Sequence, residues 1–118
     1  KLHYTLSNQQ RNSFMKILDL SLTYHWYDEI ASGRKTEEYR QITPFYYKRI
    51  MDHSCRLMGG PVCTFKRYDA VRFHRGQGSP VTMLVQCLGI STGMGKTEWG
   101  APQNEEVFII RLGRILSK

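Results

Sequence analysis

Gly33-Arg34-Lys35-Thr36-Glu37-Glu38-Tyr39-Arg40 marks a junction between a helix and a strand. Gly33 suits the left-handed backbone that ends many helices. A strand starts just after it, and three charges of both signs, Lys35, Glu38 and Arg40, follow at fixed offsets. Strand parity puts Thr36, Glu38 and Arg40 on one face and Lys35, Glu37 and Tyr39 on the other. Lys35 therefore converges on Glu38 only if it lies in the turn, before regular pleating begins, and it is placed there.

Working outward, Ile17–Leu22 is a strand with Leu18, Leu20 and Leu22 on one face and Asp19 and Ser21 opposite. Thr23 can cap a helix from Tyr24 to about Ser32, in which Tyr24, Tyr27, Ile30 and Ala31 form the apolar stripe. After the strand Thr36–Gln41, Thr43 as cap and Pro44 at the first helical position begin a second helix, running to about Asp52. Tyr46, Tyr47, Ile50 and Met51 face inward from it, and Lys48 and Arg49 face solvent. Gly59-Gly60-Pro61 breaks the chain. Asp69–His74 is a strand with Val71 and Phe73 inward and Arg72 and His74 outward, and a turn over Gly76–Pro80 follows. Val81–Ile90 and Val107–Leu112 carry apolar residues on both faces, as strands do between a barrel interior and covering helices. Gly93–Asn104 between them reads as a long loop, a usual place for function. The fold class is α+β, mainly β.

The chain has 118 residues, enough for one domain. Residues 1–14 are polar and without periodicity; they read as an N-terminal extension or vector-derived segment, with Met15 as the natural start and residues 15–118 as the domain. Seventeen Lys and Arg against ten Asp and Glu give a formal charge of +7, which favours a polyanionic partner, nucleic acid first. The odd cysteine count, Cys55, Cys63 and Cys87, argues against a disulfide framework and for a reduced, cytoplasmic compartment. No apolar run is long enough to span a membrane, so no membrane partner is expected.

Several motifs fail. Gly95-Lys96-Thr97 resembles the end of a phosphate loop, but Ile90 stands where its first glycine belongs, and Glu98-Trp99-Gly100-Ala101-Pro102 is not the required helix. His53, Cys55 and Cys63 lack zinc-ligand spacing, so neither a metal nor a cofactor is expected. His25 and His74 have no triad partners at recognisable spacing. What survives is Lys35, Glu38 and Arg40. Such a set can be a structural ion-pair network, can bind a phosphate or base edge, or can do acid–base chemistry if burial lowers the lysine pKa.

On Gly33, Lys35, Glu38 and Arg40 the chain matches the pattern G-x-K-x-x-E-x-R and resembles the ASCH domains, a branch of the PUA-like fold. The resemblance runs from about Met15 to Leu116. It includes the opening strand and helix, the Tyr-rich helix after Pro44, Lys66–Phe73, Glu98-Trp99-Gly100-Ala101 and Val107–Ile115. It implies a small β-barrel of about five or six strands with two or more flanking helices, and a cleft beside the motif for RNA or a modified nucleoside or nucleotide. Some small members are amidohydrolases of N4-acetylcytidine that use a Lys, a Thr and a Glu, with the Lys and Thr in a K-x-x-T-x-R version of the motif. Lys35 and Arg40 match that version, and Glu38 stands in place of its threonine. Other relatives are ribonucleases.

The leading expectation is an RNA- or nucleotide-binding module. Lys35, Arg40 and Arg75 supply positive potential, Trp99 or Tyr39 stacks on a base, and Glu38 orients the two cations or accepts from a base amino group. The alternative is an amidohydrolase or ribonuclease with Lys35 as catalytic base, Glu38 tuning its protonation, and a hydroxyl of Ser21, Thr23 or Thr36 as nucleophile or water-positioner.

Overall fold

The computed structural model describes residues 14–52, 56–57, 60–61 and 64–118. Strand β1 (Ile17–Leu22) leads into helix α1 (Tyr24–Ala31), strand β2 (Glu37–Gln41) and helix α2 (Pro44–Ile50). Four two-residue strands follow: β3 (Met51–Asp52), β4 (Arg56–Leu57), β5 (Gly60–Pro61) and β6 (Thr64–Phe65). They pair as β3 with β6 and β4 with β5. The chain then forms β7 (Ala70–Arg75), β8 (Thr82–Met94), a 3-10 turn at Thr97–Trp99, and β9 (Glu106–Ser117). The fold is a small mainly-β α+β half-barrel, a curled five-stranded sheet with two helices. The segment before Phe14, and His53, Cys55, Gly59 and Cys63, lie outside the described residues.

The sheet order is β1-β7-β8-β9-β2, with β1 parallel to β7 and every other neighbour antiparallel. The β8–β9 ladder shifts register at Leu84/Val85, Val85/Cys87 and Cys87/Gly89. Each shift puts unequal residue counts opposite one another, which bends the strands and curls the sheet. Curling brings the two edge strands, β1 and β2, towards each other. A side chain bridges them: Arg40 Nη2 on β2 donates to the Ser21 carbonyl on β1 at 2.9 Å.

The core follows the alternation read from sequence. Leu18, Leu20 and Leu22 of β1 bury against Val71 and Phe73 of β7, with Tyr27 and Ile30 of α1, Met83 and Val85 of β8, and Ile110 and Leu112 of β9. Ile50, Met51 and Phe108 form a second cluster, and Tyr39, Ala101 and Val107 a third.

Four expectations are corrected. Tyr24 is 61% exposed and outside the α1 stripe: Tyr27 and Ile30, with Trp26 and Ala31 beside them, face the core, and Arg75 covers the Tyr24 ring instead. Helix α2 stops at Ile50, since Met51 turns extended (ψ 142°) to pair with Phe65. Val81 precedes β8, and both it and Leu88 are exposed, so β8 is not buried on both faces along its length. Strands β8 and β9 also run further than expected, to Met94 and Ser117, which shortens the loop between them to residues 95–105.

Candidate functional site

Helix α1 ends as its glycine requires: Ser32 N–H donates to Asp28 O, Gly33 N–H donates to Ile30 O, and Gly33 takes φ +84°. Lys35 N–H then donates back to Glu29 O at 3.1 Å. This tight reversal keeps Lys35 ahead of β2 and turns its side chain into the protein. Its Nζ lies 3.0 Å from Glu38 Oε1, donates to Trp99 O at 2.5 Å and sits 4.3 Å from the Trp26 ring centroid. The placement of Lys35 in the turn is what the strand parity demanded.

Glu38 and Arg40 share one face of β2. Arg40 Nη2 is 2.8 Å from Glu38 Oε2 and Arg40 Nε donates to the same oxygen at 3.0 Å. Arg40 Nη1 donates to the Tyr46 hydroxyl at 2.8 Å, while Nη2 also reaches Ser21 O. Lys35 and Glu38 are 3% and 5% exposed, the two buried charged residues among those described. Burying charges is costly unless they are paired and hydrogen-bonded. Here the carboxylate lies between two cations, and no buried side-chain polar atom among the described residues lacks a partner.

The trio borders two concavities. A depression of 300 Å³ is lined by Ser21, Leu22, Thr23, Trp26, Glu38, Tyr39, Arg40, Gln41 and Tyr46. A smaller recess of 120 Å³ between Trp26, Trp99 and Gly100 reaches Lys35 itself. Thr23 occupies the N-cap position of α1, yet its side chain makes no capping bond. Helix α2 is capped by Thr43, whose hydroxyl accepts from Tyr46 N–H at 3.3 Å; this holds the Tyr46 hydroxyl over Arg40.

Not every expected residue is a free ligand contact. The Tyr39 ring belongs to the cluster with Ala101 and Val107. Its hydroxyl donates to Glu37 at 2.7 Å and accepts from Lys96 N–H at 3.1 Å, and burial pushes its pKa well above the ordinary tyrosine range. Trp99 packs half-buried against that cluster with Lys96 Nζ over its ring, and brings its carbonyl to Lys35. Arg75 stands apart from the trio: it is paired with Asp28 at 3.0 Å, stacks on Tyr24, and lines neither concavity. That pairing holds the Asp28 carboxyl below, and the Arg75 guanidinium above, their ordinary pKa. Thr36 is exposed and lines neither concavity, whereas Ser21 and Thr23 line the larger one.

Trp26 and Tyr46 were not singled out as site residues. Trp26 carried a signal: with Tyr27 and Ile30 it falls on one apolar face of the helix, and it packs, partly buried, against the main core cluster. Among the described residues no group of three His, Cys, Asp or Glu is placed to hold a metal, and no helix is long and apolar enough to cross a membrane. No protein-family model matches the chain, and neither a curated protein nor a solved structure matches it.

Proposed function

We propose that the chain binds RNA or a nucleotide through the cleft beside Lys35, Glu38 and Arg40, as its resemblance to the ASCH domains implies. The observation that supports this most is the hydrogen-bonding capacity left over in the trio. A lysine ammonium carries three donors; Lys35 donates one to Trp99 O and meets Glu38 as an ion pair at 3.0 Å. A carboxylate accepts about four hydrogen bonds; Glu38 accepts one on Oε2 from Arg40 Nε and is ion-paired with Lys35 and Arg40 Nη2. Arg40 retains a second N–H on Nη1 beyond its bond to Tyr46. A polar edge that presents both donors and acceptors, as a nucleobase does, can use Glu38 and Arg40 in the larger depression, while Lys35 faces the smaller recess. Trp26 supplies an aromatic wall to the same cleft.

The test is a chemical-shift titration with nucleosides and a short RNA. Binding should move the Trp26 indole and Arg40 Nε signals, and RNA affinity should fall steeply with salt as phosphate counterions are released. A titration in which these signals stay fixed would overturn the reading.

A second reading is amide hydrolysis of N4-acetylcytidine: water adds across the acetyl C–N4 bond, giving acetate and cytidine. What favours it is that Lys35 is desolvated and that Ser21 and Thr23 line the depression holding Glu38. Chromatography after incubation separates the two readings, since binding alone releases no cytidine.

A further inference from the structure

Two depressions meet at Arg40. The first is the 300 Å³ cleft beside Glu38. The second, 380 Å³, lies towards α2 and is lined in part by Asp19, Phe45, Arg49, His74 and Gln77. Ser21, Arg40 and Tyr46 line both, so the two form one groove across the seam between β1 and β2.

The second depression has its own aromatic platform. Phe45 is 58% exposed, although it opens a helix whose neighbours Tyr46 and Ile50 turn inward. The Arg49 guanidinium carbon lies 4.5 Å from the Phe45 ring centroid, and Phe45 meets Tyr46 edge-on at 5.0 Å. An exposed ring beside an arginine is how proteins without sequence preference hold single strands: bases stack on the ring and the cation meets the backbone.

The opposite wall favours an anion as well. His74 Nε2 lies 2.9 Å from Asp19 Oδ1, and His74 Nδ1 lies 3.2 Å from Ser79 O. Both partners are acceptors, so together they favour the doubly protonated ring and raise the pKa of His74 above its ordinary value. Arg72 also reaches Asp19 Oδ1, at 3.4 Å. Asp19 is the one carboxylate among the residues lining this depression, and these two contacts offset its charge. Arg40 is shared with Glu38, so Arg49 contributes most to the positive sign of this depression.

We infer that the groove takes a single-stranded polynucleotide of two or more residues, with one base beside Glu38 and the adjoining nucleotide across Arg40 on the Phe45–Arg49 platform. This rests on the base-binding reading above and adds a second subsite to it.

Calorimetry with four probes tests it: cytidine, a ribohexacytidylate, its deoxy counterpart and hexaglutamate, each against the native chain and Phe45→Ala/Arg49→Ala. The ribohexamer should bind at least about tenfold tighter than cytidine, and the double variant should bring that ratio down by about tenfold, the loss of one stacked base. Equal binding of the deoxyhexamer also supports the groove and shows that the sugar is not read. Both substituted side chains are exposed, so the variant should keep the native thermal midpoint; Arg49→Glu alone provides a check if it does not. A ribohexamer bound no tighter than cytidine, or a ratio unmoved in the variants, overturns the second subsite and leaves the base pocket standing. No binding by any nucleic-acid probe removes both, and hexaglutamate bound as tightly as the hexamer shows a surface that reads charge alone.

Discussion

Replacing Glu38 by leucine probes the electrostatics of the site most directly. Lys35 Nζ would keep the Trp99 carbonyl but lose its counter-ion at 3.0 Å. Only 2% of the Lys35 side chain is exposed, and a leucine at position 38 offers it no acceptor in place of the carboxylate. Truncating one partner of a buried ion pair costs about 3–5 kcal/mol, because the other charge stays buried and uncompensated. Arg40 suffers less: its side chain is 13% exposed and keeps Tyr46 and Ser21. Against a typical domain stability of about 5–15 kcal/mol, the loss is a large fraction. It corresponds to a fall in Tm on the order of 10 °C or more for a domain near this size.

The decisive comparison is with Lys35→Met/Glu38→Leu. Removing both charges abolishes the uncompensated ammonium, and exchanging a buried pair for apolar side chains is often nearly neutral. The double variant should therefore be more stable than Glu38→Leu alone, by at least about 1 kcal/mol, despite its extra substitution. Urea and thermal unfolding followed by circular dichroism at neutral pH measure both. A Glu38→Leu loss below about 1 kcal/mol, the range of solvent-exposed pairs, would refute the reasoning. So would a double variant less stable than the single, because the pair would then be screened by water despite its burial.

Two other predictions concern the surroundings of the site. The hydrogen bond to Asp19, then that to Ser79, raises the pKa of His74 above the ordinary 6.5. The native state then holds the His74 proton to higher pH than the unfolded chain does, so its contribution is complete below 6.5 and disappears as pH rises through the native pKa. An NMR titration of His74, with unfolding midpoints of the native chain and His74→Gln across that window, checks this; a His74 titrating below 6.5 would contradict it. Gly95→Ala should destabilise by about 1–3 kcal/mol through overpacking, because a Cβ there would lie 2.6 Å from Ala101 Cβ and 2.7 Å from the Tyr39 ring. A midpoint unchanged in denaturant would show that Tyr39 can move away.

Local chemistry made β1, α1, the Thr43–Pro44 start of α2 and the inner faces of β7 readable, because alternation and capping are encoded by neighbours a few residues apart. Strand parity made a meeting of Lys35 and Glu38 conditional on Lys35 lying in the turn, and it lies there, 3.0 Å from Glu38. What escaped depends on partners distant in sequence. Arg75 looked like a free turn cation, but the packing of α1 on β7 brings it to Asp28, 47 positions earlier. Tyr39 looked available for stacking until Ala101 and Val107 closed around it. The Trp99 carbonyl could not be anticipated, since a carbonyl exists at every residue and only the 3-10 turn at Thr97–Trp99 aims this one at Lys35.

The position of the trio follows from how the sheet ends. A closed barrel would pair β1 with β2 through backbone hydrogen bonds and leave no groove between them. Here the Arg40 side chain joins β2 to Ser21 of β1, and the groove runs past it on either side. Charges at a sheet edge also guard against unwanted strand addition, so Glu38 and Arg40 have a plain structural use. That use accounts for charge on β2. It does not account for a buried lysine brought in from the preceding turn and placed 4.3 Å from the Trp26 ring. Edge protection works best in the open, where charges cost nothing to desolvate; this trio accepts burial and spends a tight turn, a tyrosine hydroxyl and a carbonyl to hold its geometry. A network fixed so closely beside an open groove is already ordered and desolvated in the folded chain, so the binding proposed above would demand little of either.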